Sequence, residues 1–270
     1  MDFRGASAEA IAALTDELKG SVGGSPEAAA STADSLFAVS RTLRAEPALR
    51  RFATDGSIPA EAKAGLVKEV FGGKLDGPAL DVLVSAVSRR WTRSADLADG
   101  VERLSEVAAV LSAGEKGPEL SDELFDLRRV VDHNPPLRDA LSDPVRSVDD
   151  KAGLVDTLLA GKVQPATITL AKQALAGSYG TVSAALSAYR TLAGETFGES
   201  VATVHVARPL TADQSARLAS ALERKYGRPV HTNVVVDPNV VGGVRVELGD
   251  DVIDGTVSSR LDDAERLLAG

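Results

Sequence analysis

The chain has 270 residues, no cysteine, a formal charge of −9, 44% hydrophobic residues and 26% charged residues, with only 4% aromatics. That length exceeds the usual single domain. Absence of cysteine excludes thiol nucleophiles, disulfides and Cys-ligated zinc, and it fits cytoplasmic residence. The acid excess argues against nucleic-acid binding, which needs surplus Lys and Arg. Ala, Leu and Val supply the apolar content, which favours close-packed helices over aromatic-lined clefts. The N-terminus has no apolar core of signal-peptide type, and no segment approaches a membrane span, so any membrane connection is expected to run through a partner.

The string KAGLV occurs at Lys63–Val67 and again at Lys151–Val155, an offset of 88 residues. The same gapless offset pairs Asp34, Leu36 and Phe37 with Asp122, Leu124 and Phe125. It also pairs Pro47–Arg50 with Pro135–Arg138, Asp55 with Asp143, Gly73-Lys74 with Gly161-Lys162, and Trp91 with Tyr179. A register constant from about 34 to 104 indicates a duplicated helical unit.

In chain order, Ala33, Leu36, Phe37, Ser40 and Leu43 make one helix face. Pro47 interrupts, and Leu49 and Phe52 sit on a short helix ending near Asp55-Gly56. Pro59 suits the first turn of a helix carrying Ala62, Leu66, Val67 and Val70, stopped at Gly72-Gly73. The next carries Leu80, Leu83, Val84 and Val87. Residues 95–111 form one helix through Leu97, Val101, Leu104 and Ala108, closing the first bundle and opening the second. Copy two repeats the scheme with Leu124, Leu127 and Val131, then Leu137 and Leu141, then Leu154, Val155 and Leu158. Beyond Glu199 the apolar period changes from 3.6 to 2. Strands are expected at Val201–Ala207, Val230–Val236 and around Val244–Leu248, with a capping box at Thr211-Ala212-Asp213-Gln214 opening a helix to Tyr226. Val257, Leu261, Ala264 and Leu268 mark a last helix. The fold class is therefore mainly α with a small α/β module: a bundle over 1–94, a second over 95–198 sharing helix 95–112, and an α/β module over 199–270.

Chemistry has few footholds. Gly242-Gly243 lacks phosphate-loop spacing and a following helix, so it reads as a bulge or tight turn at a strand start. His133, His205 and His231 have no metal-ligand spacing. His205 and His231 fall on neighbouring strands, where exposed strand histidines are favoured over a metal or acid–base pair. Asp250, Asp251 and Asp254 read as turn or cap carboxylates rather than a calcium loop. Arg89-Arg90-Trp91-Thr92-Arg93 reads as a packed aromatic with cations at a helix end rather than a nucleic-acid surface. No P-loop and no Gly-x-Ser-x-Gly occurs. No catalytic, cofactor-binding or metal residue is therefore assigned. The rival reading is a small α/β hydrolase using Asp250, Asp254 and His231, with a helical regulatory region; a third is an unrelated helical scaffold.

The segment Val236-Asp237-Pro238-Asn239-Val240-Val241-Gly242-Gly243-Val244, followed by Gly249-Asp250-Asp251-Val252-Ile253-Asp254-Gly255-Thr256-Val257 and Arg260-Leu261, resembles the δ (OSCP-like) subunit of F-type ATP synthases. Arg208-Pro209-Leu210-Thr211, Asn134–Arg138, Asp143-Pro144 and Lys151 agree with it, so the likeness runs from about 95 to 270. Ordinary members have one bundle, and here residues 1–94 precede it. The resemblance implies a non-catalytic stator subunit without cofactor, peripheral on the cytoplasmic face of the cell membrane. Its implied partners are the N-terminal helices of α subunits and the end of the b stalk, with β a further candidate. It marks Asp237, Pro238, Gly242, Gly243, Gly249, Asp254 and Arg260 as motif positions for structure or partner contact. The added bundle would supply another contact to an α N-terminus or to the stalk.

Overall fold

A computed structural model of the chain describes residues 2–197, 200–227, 230–238, 240–248 and 251–257. It divides into two compact units, residues 1–193 and 194–270, which are taken separately below.

The first unit is helical. Its elements are α1 (Ala6–Val22), α2 (Pro26–Ala45), α3 (Pro47–Thr54), α4 (Ala60–Phe71), α5 (Gly77–Ser88), α6 (Ser94–Leu111), a 3-10 turn at Gly114–Lys116, α7 (Gly117–His133), α8 (Pro135–Ser142), α9 (Val148–Leu159), α10 (Pro165–Ala176) and α11 (Val182–Thr196). Helices α1, α6 and α11 begin at residues 6, 94 and 182, so the 88-residue spacing governs the elements as well as the identities. Helix α6 thus closes one repeat and opens the next. It packs against α1, α2, α3 and α5 on one side of the sequence and α7 and α10 on the other.

The helix ends follow from local chemistry. Ser25, Asp76, Asn134 and Ser147 each accept a backbone N–H at an N-terminus, and proline occupies the first turn of α2, α3, α5, α7, α8 and α10, where its missing N–H costs nothing. Pro59 is the N-cap residue of α4 rather than part of its first turn. Helix α1 lies ahead of the periodic pattern read from the sequence; Ala10, Leu14, Leu18 and Val22 bury its inner face. Gly100 admits α1 to α6: a Cβ there would lie 2.6 Å from Ile11 Cδ1 and 2.8 Å from the Trp91 ring. Gly100→Ala is expected to cost about 2 kcal/mol by overpacking, read as a lower urea midpoint with unchanged slope.

The second unit holds β1 (Ser200–Val206), α12 (Ala212–Tyr226), β2 (Val230–Val236), β3 (Val244–Leu248) and β4 (Asp251–Asp254). The sheet order is β2-β1-β3-β4, with β1 parallel to β2 and antiparallel to β3, and β3 antiparallel to β4. Thr211 and Gln214 form the expected capping box, and Gly227, at φ 67°, ends α12. Ala202, Val204, Val206, Leu222, Val230, Val246 and Leu248 make the core. The sequence pattern did not foresee β4, a four-residue edge strand. The last helix expected from Val257 to Leu268 lies outside the described residues beyond Val257.

Candidate functional site

An apolar groove of the helical unit lies in the second repeat. It measures about 450 Å³ and runs between α7, α8, α9 and α10, with Leu127, Val130, Leu137, Leu158, Leu159 and Leu175 among its walls. Val131, Leu141, Val155 and Ala171 form the buried floor. Val130 is 53% and Leu158 37% exposed. Surface of this kind gains about 25 cal/mol for each Å² that a partner covers. Polar groups are few and peripheral: Glu123, Asp126, Asn134 and Lys162. An amphipathic helix, with side chains at i, i+3, i+4 and i+7, is the shape that fills such a trough. Leu127, Leu137, Leu141, Val155 and Leu158 were legible as helix faces. Val130 was not; its place beside Val131 and Leu127 widens the apolar stripe of α7 beyond what one packing face requires.

Behind the groove, α6 carries an ionic joint. Glu102 and Glu106 have fully buried side chains. Glu102 accepts from Arg44 of α2 and, through Oε1, from the Ser178 N–H at 2.7 Å. Arg44 also holds Asp99 at 3.0 Å. Glu106 Oε2 accepts from Arg103 at 3.2 Å and the Tyr179 hydroxyl at 3.3 Å, while its Oε1 has no hydrogen-bond partner. Tyr179 stacks edge-on against Tyr189. Burial lifts the Glu106 pKa from 4.5 to about 7; Arg103 opposes the shift and Glu102 adds to it. Between those pH values the folded chain holds a proton that the unfolded chain releases, so this group's contribution to stability falls as pH rises through the window, by about 3 kcal/mol in all. In Glu106→Gln the unfolding free energy should therefore depend less steeply on pH between 5 and 7, measured by urea titration. An unaltered slope would contradict the assignment.

The motif positions of the second unit have mainly backbone roles. Gly242 and Gly243 stand at φ 97° and 83° immediately before β3, a region that side-chain-bearing residues rarely adopt. A Cβ on Gly243 would run into the Gly255 carbonyl oxygen and lie 2.8 Å from Thr256 Cα. The Gly255 N–H donates to the Val244 carbonyl at 2.9 Å, and the Val257 N–H to the Gly242 carbonyl at 3.1 Å, closing the chain after β4 onto the double glycine. The Asp237 N–H donates to the Val206 carbonyl at 2.9 Å, and Pro238 follows in a turn. Asp254 accepts from the Thr256 N–H at 2.9 Å and hydroxyl at 2.6 Å, which hold its carboxyl below the usual range. Gly243→Ala should destabilise this unit by about 3 kcal/mol, combining left-handed strain with backbone overlap; faster amide exchange confined to β1, β3 and β4 would show it. Gly249, Asp250 and Arg260 lie outside the described residues.

Of the residues of the hydrolase reading, Asp250 lies outside the described residues and the strands that carry the other two are not neighbours. His231 is on β2 and Asp254 on β4, the opposite edges of the sheet, about 14 Å apart at the usual strand spacing. His231 pairs in register with Val201 and His205 with Val235, so the two histidines are four residues apart along β1. His205 faces Glu247, with Nε2 3.8 Å from the carboxylate. Asp251 pairs with Leu248. His133 Nδ1 lies 2.9 Å from the Arg129 carbonyl. Among the described residues no group of three His, Cys, Asp or Glu side chains could hold a metal, and no helix is long and apolar enough to cross a membrane. Trp91 donates to the Ala86 carbonyl at 2.9 Å. Arg89 pairs with Glu17 and Arg93 with Asp96. Arg89, Trp91 and Arg93 of the basic–aromatic cluster thus have partners within the fold.

Among the described residues, eleven α-helices with an apolar groove between α7, α8, α9 and α10 are joined in sequence to a four-stranded α/β module. The family model "ATP synthase delta (OSCP) subunit" matches residues 107–268. The ATP synthase subunit delta of Nocardioides sp. is 55% identical over 99% of this chain and 98% of its own length. That of Streptomyces avermitilis is 39% identical over the full length of both chains, and that of Kineococcus radiotolerans 42% identical over 90% and 89%. The chain belongs to the ATP synthase delta (OSCP) subunit family. The full-length similarity also shows that the first repeat, ahead of the family match, is shared with such relatives.

Proposed function

We propose that the chain is a non-catalytic stator subunit of a proton-translocating F-type ATP synthase, linking the catalytic head to the peripheral stalk. The observation that carries this reading, beside the family, is the apolar groove of the second repeat. In this role the groove receives an amphipathic N-terminal helix of an α subunit, and the C-terminal module holds the end of the b subunit, with β a further neighbour. The motif positions Asp237, Pro238, Gly242, Gly243, Gly249, Asp254 and Arg260 then shape the module that meets b. We divide the chain for these duties into a first bundle over 1–94, a second over 95–198 with helix 95–112 common to both, and the module over 199–270.

An adaptor that must withstand the torque of rotary catalysis gains from several modest contacts on one chain, because each raises the effective concentration of the next. Such a subunit sits peripherally on the cytoplasmic face of the membrane through its complex. Affinity capture of the tagged chain from solubilised membranes tests the reading. Recovery of α, β and b together is expected; recovery of the chain without them would refute it.

A further inference from the structure

The two repeats share a backbone plan but not a surface. The exposed large apolar side chains of the second repeat, Val130, Val145 and Leu158, correspond at the 88-residue offset to Thr42, Ser57 and Val70. Val70 is half-buried, and from α1 through α5 no large hydrophobic side chain is exposed. Leu159, which lines the groove, corresponds to Phe71, whose larger side chain is buried. The first repeat thus leaves fewer large apolar side chains open than the second, and a helix laid on the equivalent face would remove less apolar area from water.

What the first repeat does offer is an end wall. A cleft of about 560 Å³ continues the groove, since Glu123, Lys162 and Val163 line both. On its far side stand Pro26, Glu27 and Ala30 of α2. The lining changes there from branched apolar to small and charged, with Glu27, Glu119 and Glu123 against Lys116 and Lys162. Glu123 is engaged by Thr167 and by the Gln164 N–H, whereas Glu27 accepts only from Ser25, at 3.2 Å. An excess of carboxylates at the end of a trough suits the N-terminal turn of a helix, where the dipole is positive and basic side chains add to it.

We propose that the first repeat receives no helix of its own and instead lengthens the groove of the second. One amphipathic helix lies with its apolar face on Val130 and Leu158 and its basic N-terminal turn against Glu27 on α2. This rests on the groove reading above.

Calorimetric titration of the intact chain with two synthetic amphipathic peptides tests it. One is about 14 residues, about 21 Å of helix; the other adds a basic N-terminal turn of about four residues. One peptide per chain is expected, the longer binding about five- to tenfold tighter, an effect of the size charged contacts at an interface rim produce. Ala30→Trp and Glu27→Lys, each verified as folded by thermal melting, should abolish that gain and leave the shorter peptide unaffected. Two peptides per chain, or a gain that survives both substitutions, would overturn the proposal while leaving the groove reading intact. If neither peptide binds, the groove reading fails first and the proposal with it. Self-association seen by sedimentation and not reversed by peptide would make a second copy of the chain the occupant, and overturn it likewise.

Discussion

A chain cut to residues 94–270 is expected to lose the helical unit rather than retain a working second repeat. Helix α6 is buried along most of its length because both repeats use it. Leu97, Val101, Leu104 and Ala108 are at 0% exposure, and α1, α2, α3 and α5 all pack on the helix that carries them. Removing those partners returns several such side chains to water at about 1.5–3 kcal/mol each for the leucines and valine. It also takes away Arg44, the guanidinium partner of Glu102 and Asp99. Together these match the whole stability of an ordinary domain, about 5–15 kcal/mol. The truncated chain should show weakened helical circular dichroism without a cooperative helix melt, and should bind hydrophobic dyes. A sharp helical transition near that of the intact chain would contradict this account of α6.

The second large effect is expected at the groove. Val130 and Leu158 are exposed, so replacing both with aspartate should leave the fold within about 0.5 kcal/mol, as for other surface changes. A docked helix would instead bury two unpaired carboxylates, costing at least about 2–5 kcal/mol. Affinity for an amphipathic helix should fall by about 100-fold or more, measured by titration, while the melting temperature barely moves. Binding that persisted within about twofold would exclude these walls as the contact surface.

How much of this could be read in advance differed from element to element. The repeat was visible because short strings recur in register: KAGLV inside α4 and α9, the Pro-x-Leu-Arg segment opening α3 and α8, and the Gly-Lys stops. Helix α1 escaped because its match to α6 is one of backbone, not side chains. Leu14 and Leu18, fully buried in α1, correspond to Glu102 and Glu106 in α6, where a helix shared by two repeats exchanges apolar packing for an ionic joint. No periodicity of apolar residues could show that exchange, since both glutamates read as a solvated face until Arg44, Arg103 and Tyr179 are placed around them. Similarly, β4 is too short to display alternation, and the double glycine could be read as a backbone device without revealing that Gly255 and Thr256 press against it. The groove was half legible: its floor followed from helix periodicity, whereas its openness depends on Val130 and Leu158 remaining uncovered.

The central claim is mechanical coupling without catalysis. It is tested most directly by measuring ATP hydrolysis and ATP-driven proton pumping in the same membranes, with wild-type chain or the Val130→Asp, Leu158→Asp double variant. The account predicts that hydrolysis by the head persists while pumping is largely lost, because the head is no longer held against rotation. Pumping that stayed in proportion to hydrolysis in the double variant would contradict it.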